Sequence, residues 1–253
     1  MRKISEEIIK NFFRKRSPKY NKFGIWVKDL SVLDMTLEFM EINETMKLID
    51  VGAGTGFVLK YVLNTFPNIQ ECVALDITLE MLDKINDLRI MKCLHDAHNI
   101  PFPSNHFDVA VCRQSLHYMN NLNKVMQEIR RILTPKGALV IGQITPYNEK
   151  DEKYWKKIIK TRNPIRKHLL LLDDLISLLK ANSFKIVRVS QIKVKESLEI
   201  WLKRYKISDN QINEVRKLIY TAPSIYKRIH NFRKANEDIV FKNCWSFIRA
   251  IKK

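Results

Sequence analysis

The sequence predicts an α/β protein with a mostly parallel sheet that is covered by helices on both faces. From Met46 onward, short apolar runs alternate repeatedly with segments of helical periodicity, which is the pattern of β-α-β units. A chain of 253 residues with 45% hydrophobic residues and only 6 Gly and 8 Pro can form a globular domain with a full core. Disorder is therefore not expected.

This alternation predicts five strands and three helices in the first part of the domain. In chain order the strands are MKLIDVG, ECVALDI, IMKCLHDA, HFDVAVCRQ and GALVIGQIT, and the helices cover residues 57–66, 79–88 and 122–133. The preceding residues 1–45 have apolar side chains at helical spacing. We therefore expect N-terminal helices there, as part of a cover over the site.

Residues after 146 have a less regular pattern. They contain predicted helices at residues 150–161, 173–179, 196–205 and 210–220, and two predicted strands, FKIVRVSQIKV and IVFKNCWSFIRAI. About 45 residues separate these two strands, which is more than a hairpin or a simple crossover needs. We therefore expect a basic helical insertion at about residues 196–238, inside a domain that extends from residue 46 to residue 253.

The positive charge of the chain is unevenly distributed. The formal net charge is +18, with 20 basic and 17 acidic residues in positions 1–150 but 25 basic and 10 acidic residues in positions 151–253. Such an excess fits a nucleic acid, an anionic small molecule or an acidic surface as a partner. A solvated, lysine-rich surface explains the excess equally well.

Cysteine usage and hydropathy indicate the compartment. The four cysteines, Cys72, Cys93, Cys112 and Cys244, are far apart, form no C-x-x-C pair and lie mostly in predicted apolar strands. The first residues lack the apolar run of a signal peptide, and no stretch approaches the roughly 18 apolar residues of a membrane span. We expect a cytoplasmic protein with reduced thiols and no membrane insertion.

A glycine-rich turn, DVGAGTG at residues 50–56, lies between the first predicted strand and helix. A dinucleotide fingerprint, G-x-G-x-x-G, would require glycine at position 57, which is Phe57. The carboxylate of Asp50 would oppose a pyrophosphate but suits a ligand that carries sulfonium and ammonium groups. In that arrangement the N–H groups of Gly52 and Gly54 would face the carboxylate of the ligand.

Acidic residues also end the next two predicted strands. Asp76 lies twenty residues beyond Gly56, where an acid can accept both hydroxyls of an adenosine ribose, although it could instead cap a helix that starts at Thr78. Asp96, with Ala97, could accept from an adenine amino group. For Asp96, capping or turn formation is the alternative.

Together these motifs resemble the class I S-adenosylmethionine-dependent methyltransferases, especially the small-molecule branch with the ubiquinone/menaquinone and biotin-pathway enzymes. The resemblance rests on DVGAGTG, ALDI, DAHNIPFPSNHFDVAVCRQSLHY and IRRILTPKGALVIGQITP, in that order, over roughly residues 46–145. It implies a Rossmann-like, seven-stranded sheet with an antiparallel last strand, and in-line transfer of a methyl group from S-adenosyl-L-methionine to an oxygen, carbon or nitrogen atom. Lys136-Gly137 replaces the more usual Pro-Gly-Gly-like turn, and residues after 146 match no family pattern, which leaves the acceptor open.

Carried onto the matching positions, the resemblance implies which residues contact the cofactor. The expected set is Asp50, Gly52, Ala53, Gly54, Thr55, Gly56, Asp76, Ile77, Met81, Asp96, Ala97 and Arg113. Although His95 and His98 flank Asp96, no third ligand is near in the sequence, so no metal site is expected.

Methyl transfer requires few catalytic side chains, because the leaving group is a neutral thioether and the enzyme mainly supplies orientation and, for some acceptors, a base. His117 follows the fourth predicted strand, on the side of this fold that faces the methyl group. Since histidine titrates in the useful range, His117 is the candidate base or orienting group, with a structural histidine as the alternative. Gln114 and Tyr118 could position an acceptor by hydrogen bonds.

Three functions stay open at this point: a small-molecule methyltransferase, an RNA-modifying methyltransferase that uses the basic C-terminal region, and a non-catalytic cofactor-binding protein. The chain has no Asn/Asp-Pro-Pro-Tyr/Phe run, which lowers the expectation of methylation at a base amino group. Trp155, Ile158 and Ile159 share one side of a predicted helix whose other side is rich in lysine. This helix could form a lid over an acidic acceptor, with an ordinary surface helix as the alternative. Six aromatic residues could stack on an acceptor, although packing inside the insertion is the simpler expectation: Trp201, Tyr205, Tyr220, Tyr226, Phe232 and Trp245. The sequence does not indicate the oligomeric state.

Overall fold

The computed structural model describes residues 5–23, 29–204, 207–236 and 238–253. Its strands are β1 (Lys47–Val51), β2 (Glu71–Asp76), β3 (Met91–Leu94), β4 (Phe107–Arg113), β5 (Leu133–Thr145), β6 (Phe184–Ser197), β7 (Arg233–Ala235) and β8 (Asp238–Lys252). Its helices are α1 (Glu6–Arg16), α2 (Tyr20–Phe23), α3 (Leu30–Met40), α4 (Phe57–Thr65), α5 (Leu79–Leu82), α6 (Leu122–Ile132), α7 (Glu149–Arg162), α8 (Leu172–Ala181), α9 (Leu198–Lys203), α10 (Asp209–Tyr220) and α11 (Ser224–Ile229). Short 3-10 turns cover Ser17–Lys19 and Leu116–Tyr118.

The strands form one sheet in the order β3-β2-β1-β4-β5-β8-β6, and β7 adds a short pairing to β8. The first five strands are parallel, whereas β8 runs antiparallel to both β5 and β6. The predicted mostly parallel sheet with an antiparallel last strand is thus confirmed. The strand order reverses between β1 and β4, and ligands of open α/β sheets bind at the carboxyl ends of the strands beside such a reversal.

Helices bury both faces of this sheet. Successive residues of β1 face opposite sides, since Leu48 belongs to one apolar cluster with Val32 and Leu59, and Ile49 belongs to the other with Val125. A strand that is buried on both faces has a continuous apolar sequence, which explains why the central strands were visible in the sequence.

Two predicted elements differ from the structure. The helix predicted over residues 79–88 ends at Leu82, and further along the chain the carboxylate of Asp87 accepts the N–H of Arg89 at 3.1 Å in a turn. The third strand ends at Leu94, so Asp96 and Ala97 lie in the loop after it.

Between β6 and β8 the chain forms α9, α10, α11 and β7. These elements pack with α7 around a separate apolar cluster that contains Trp155, Trp201, Tyr226 and Phe241. Core packing is thus confirmed for Trp201 and Tyr226, and Trp245 lies in the core of the main sheet. Phe232 packs at the edge of the cluster and Tyr220 is exposed, whereas Tyr205 lies outside the described residues.

The thiols behave as expected for core residues. Cys72, Cys112 and Cys244 are buried and Cys93 is partly buried, all without a disulfide partner. Burial raises the pKa of the Cys72 and Cys112 thiols to about 12.

Across the described helices, none combines the length and apolarity that crossing a bilayer requires.

Candidate active site

The glycine turn joins β1 to α4 in a conformation that favours glycine. Gly52, Gly54 and Gly56 have φ angles of +81°, +55° and +72°. A Cβ atom on Gly52 would lie 2.5 Å from Cβ of Ser115, so the turn also passes close to the segment after β4.

The expectation for the backbone of this turn is wrong. The N–H of Gly52 donates to the carbonyl of Leu75 at 2.8 Å, and the N–H of Gly54 donates to Oδ2 of Asp76 at 2.8 Å. Both groups are therefore used inside the protein and do not face a ligand carboxylate. The turn is held by β2, the strand next to β1, and it supplies shape more than hydrogen-bond donors.

Asp50 has a buried carboxylate oxygen, Oδ1, without a hydrogen-bond partner in the described structure. Burial raises the pKa of Asp50 from 3.8 to about 7, while the nearby Arg113 opposes the rise and Asp76 adds to it. A buried carboxylate oxygen without a partner fits a cationic group of a ligand.

Asp76 and Asp96 both make turn contacts. Oδ1 of Asp76 accepts the N–H of Thr78 at 2.9 Å, but Thr78 is itself the N-cap residue of α5, so the capping alternative for Asp76 does not hold. Oδ1 of Asp96 accepts the N–H of His98 at 3.0 Å and contacts Nδ1 of that ring at 2.6 Å. The turn alternative therefore holds for Asp96, and it leaves the carboxylate at the edge of the site.

These residues line one cavity of about 980 Å³ including its open mouth, which lies at the carboxyl ends of β1, β2 and β4. Every predicted cofactor residue except Gly56 contributes to its wall. Gly56 instead packs against Ile85, and a Cβ atom on residue 56 would come within 2.9 Å of the Ile85 side chain.

Within the described chain, no cluster of three His, Cys, Asp or Glu side chains is arranged to hold a metal ion.

Sequence reasoning missed the residues that reach this cavity from other parts of the chain. Ile9 and Phe13 of α1 and Tyr20 of α2 line it, together with His98 and Lys167. The amphipathic pattern of the first residues was the available signal for the helices. Nothing in the sequence pointed to Lys167.

The N-terminal helices are tied to the rest of the site by specific contacts. The Phe13 ring meets the Tyr118 ring edge to face at 5.0 Å, and Oδ1 of Asn21 accepts the hydroxyl of Thr55 at 2.7 Å. An ion pair of 3.3 Å also joins Arg14 to Glu80 beside α5.

A second cavity of about 510 Å³, including its opening to solvent, adjoins the first. Phe13, Tyr20, Gln114 and Tyr118 line both cavities and form the wall between them. Gln114 has a φ of +54°, which is a strained backbone conformation for a residue with a side chain. The side-chain Nε2 atom of Gln114 is buried and has no hydrogen-bond partner in the described structure.

His117 lines the second cavity and is absent from the wall of the first. Its Nδ1 atom lies 2.9 Å from Nε2 of Gln143. Burial lowers the pKa of His117 well below 6.5, and the charge of Arg166 lowers it further. His117 is therefore a neutral imidazole near pH 7.

Comparison with known proteins agrees with this geometry. Residues 49–141 match the family model described as a methyltransferase domain. The uncharacterized methyltransferase YcgJ of Bacillus subtilis is 23% identical over 180 residues, covering 68% of this chain and 70% of that protein. The demethylmenaquinone methyltransferase of Thermotoga maritima is 32% identical over 114 residues, covering 44% of this chain and 48% of that protein.

The solved structure of YcgJ shows that the fold is shared. It has a TM-score of 0.80 at 19% identity, and the match covers 88% of this chain and 98% of that one. Against several quinone-pathway relatives, in contrast, the match spans about half of their length.

Fold, site and relatives thus define a class I methyltransferase of the Rossmann-like type. Residues 49–141 form a methyltransferase domain, and the similarity to methyltransferases indicates S-adenosyl-L-methionine as the cofactor. The family and cofactor expected from the sequence are confirmed.

Proposed function

We propose that this protein transfers the methyl group of S-adenosylmethionine to a small molecule held in the second cavity. The observation that carries this proposal is the wall shared by the two cavities, where Gln114 and Tyr118 separate the cofactor from the enclosed space beside it. A cavity of about 510 Å³ suits a small molecule, and the relatives include enzymes named for quinone substrates.

The aspartates of the first cavity suit the polar groups of the cofactor. Each carboxylate oxygen has two lone pairs, so Asp76 can hold the N–H groups of Gly54 and Thr78 and also accept ribose hydroxyls. Oδ1 of Asp50, which is buried without a hydrogen-bond partner in the described structure, would accept from the ammonium group. Asp96 would accept from the adenine amino group, beside the His98 ring.

When bound, the cofactor supplies an electrophilic methyl group: its C–S bond breaks toward sulfur as the lone pair of the acceptor atom forms the new bond, and a neutral thioether leaves. Gln114 and Tyr118 would orient the acceptor along this line. The hydroxyl of Tyr118 is itself held, since it accepts from Nδ2 of Asn163 at 2.9 Å.

For His117, the contacts favour an orienting role over that of a base. Nε2 of Gln143 lies near Nδ1 of His117 and, at 3.5 Å, near the carbonyl of Ile144. Because the carbonyl can only accept, this contact favours the orientation of the Gln143 amide in which its nitrogen faces His117. Nδ1 therefore accepts a hydrogen bond, and the proton of the neutral ring is on Nε2. His117 would donate this proton to an acceptor oxygen or nitrogen.

The N-terminal helices would cover the site and exclude water during transfer. Ile9, Phe13 and Tyr20 close the cavity from a segment that precedes the sheet in sequence. Opening of such a cover would let substrates enter and products leave.

Calorimetric titration with S-adenosylhomocysteine tests the cofactor side of this proposal. Asp76→Ala removes charge-assisted hydrogen bonds and should weaken binding by about tenfold to hundredfold. Asp83→Ala is the matched control, because Asp83 is exposed at the end of α5 and does not line the cavity. Equal affinity of the Asp76→Ala and Asp83→Ala variants would contradict the assigned role.

Turnover separates this function from the alternatives. Methyl transfer to small-molecule acceptors, followed by release of S-adenosylhomocysteine, is the expected result. Tight cofactor binding without transfer to any tested acceptor would favour a non-catalytic binding protein. Methylation of RNA with steep loss of binding at higher salt would favour the RNA-modifying alternative.

A further inference from the structure

We infer that Asn243 selects methyl acceptors that carry a hydroxyl or N–H group at the end remote from the cofactor. This inference rests on the proposed function, because it adds a chemical requirement for the small molecule in the second cavity. Asn243 belongs to β8 and lines that cavity. It lies outside the described wall of the first cavity, so it would contact the acceptor and not the cofactor.

The amide of Asn243 has one polar atom that the protein leaves unmatched. The residue is 1% exposed, and its Oδ1 atom has no hydrogen-bond partner in the described structure. A buried amide oxygen without a hydrogen bond destabilises the folded protein, because it has lost its contacts with water. A hydroxyl or N–H group of a bound acceptor would supply the missing hydrogen bond.

The orientation of the Asn243 amide follows from its other contact. Nδ2 of Asn243 lies 3.5 Å from Oε2 of Glu196, and a carboxylate can only accept, so the amide nitrogen faces Glu196. The Glu196 carboxylate is itself held in place, since the Arg204 guanidinium donates to its Oε2 at 2.7 Å. Glu196 is not part of the described cavity wall, whereas Asn243 is. The oxygen is therefore the polar end that Asn243 offers to the cavity.

The pairing of the strands places Asn243 far from the wall that the two cavities share. At that wall, the backbone N–H of Gln114 donates to the carbonyl of Gly142 in β5 at 2.9 Å. Further along β5, Thr145 is opposite Cys244, and Asn243 is the next residue of β8 beyond this pair. Three to four residues of a strand correspond to roughly 10–13 Å. Asn243 thus marks the end of the cavity away from Gln114.

Other parts of the cavity wall are apolar or can only donate hydrogen bonds. The Trp155 and Trp201 rings stack at 5.5 Å and line the cavity, which provides a flat apolar surface for a ring. Tryptophan and arginine side chains have N–H donors and no acceptor. A donor group of the ligand finds no partner on these residue types, whereas Oδ1 of Asn243 can accept from it.

Such a site would discriminate between acceptors by a single proton. A buried site that accepts from a hydroxyl or N–H group rejects analogues without that group, because its own polar atom is then left unpaired. An ether oxygen in the same place has lone pairs only and cannot satisfy Oδ1 of Asn243. Methyl transfer would occur beside Gln114, so the donor group and the methylated atom are different parts of the acceptor.

Three biphenyl compounds test this requirement on the wild-type protein. 4-Hydroxybiphenyl and 4-aminobiphenyl carry a donor, whereas in 4-methoxybiphenyl a methyl group replaces the donor proton. Each is titrated calorimetrically into protein that is saturated with S-adenosylhomocysteine. We expect at least one of the two donor compounds to bind about tenfold or more tightly than 4-methoxybiphenyl. Equal affinity of all three compounds, or no binding of any of them, would overturn the inference.

Variants of Asn243 show whether this residue causes the preference. Asn243→Leu removes the amide at similar volume and should reduce the preference for the donor compound to about twofold or less. Asn213→Leu makes the same change at an exposed position of α10 and should keep the wild-type preference. Asn243→Ala is the second variant if Asn243→Leu does not fold. A full preference in the Asn243 variants would also overturn the inference.

Failure of the proposed function has a different signature, namely no binding of S-adenosylhomocysteine by the wild-type protein. A general disturbance of the fold is also distinguishable, because it would weaken binding of all three biphenyl compounds alike and leave their relative affinities unchanged.

Discussion

Replacing Asp50 by Asn is expected to stabilise the folded protein at neutral pH and to weaken cofactor binding. Burial, opposed by Arg113 and increased by Asp76, raises the pKa of the Asp50 carboxyl from 3.8 to about 7. Maintaining its negative charge in the folded protein therefore costs free energy. An uncharged side chain of the same shape avoids that cost.

The magnitude follows from the shift in pKa. A difference of roughly 3 pKa units corresponds to about 4 kcal/mol at 1.36 kcal/mol per unit. Because the folded-state pKa is raised, the stability linked to the protonated carboxyl is complete below the unfolded value of 3.8 and is lost as the pH rises toward 7. The advantage of Asn is thus about 4 kcal/mol near pH 8 and less than half of that near pH 5.

Urea denaturation of the wild type and Asp50→Asn at these two pH values measures the difference. Asp83→Asn is the control, since Asp83 is exposed and should have little effect at either pH. No gain for Asp50→Asn at the higher pH, or a gain that does not grow with pH, would refute the reasoning. It would mean that Arg113 keeps Asp50 ionised at no net cost.

Three other changes test the geometry of the site. Gly52→Ala adds a Cβ clash to an unfavourable φ and should lower the free energy of unfolding by about 2–5 kcal/mol, against about 1–2 kcal/mol for Gly54→Ala; equal losses in urea denaturation would contradict this. The ring of His117 should show no titration in NMR spectra between about pH 5 and 8, because its pKa lies well below 6.5, and a midpoint near 6.5 would contradict its burial as a neutral group. Glu196→Ala removes the buried carboxylate that pairs with Arg204 and should cost about 3–5 kcal/mol in the same denaturation assay, whereas a loss below 1 kcal/mol would show that the protein tolerates the loss of this ion pair.

The three aspartates show which part of the site could be predicted. Asp50, Asp76 and Asp96 follow successive strands, and parallel strands end at the same edge of a sheet, so their meeting at one cavity follows from the pattern of elements. The donors of the glycine turn could not be predicted in this way. Their partners, Leu75 and Asp76, belong to the neighbouring strand, and only the folded turn decides whether they or a ligand accept the N–H groups.

His117 illustrates a similar limit. The family resemblance implied that a residue after β4 lies near the methyl group, and the structure shows only that His117 lines the second cavity. The 3-10 turn at Leu116–Tyr118 directs its ring into the second cavity and against Gln143, however, where burial makes it neutral. Side-chain direction in a short turn depends on contacts that a local pattern does not contain.

The local periodicity of the sequence by itself determined the α/β class. The resemblance of motifs within roughly residues 46–145 to class I methyltransferases implied the family, the cofactor and the antiparallel last strand. Only the tertiary structure decided that a second cavity exists. Its walls come from α1, from the turn after β4, from α7, from α9 and from β8, so the lining residues extend from Phe13 to Asn243. No local pattern records which distant side chains meet, so the residues that line this cavity became recognisable only in the folded protein.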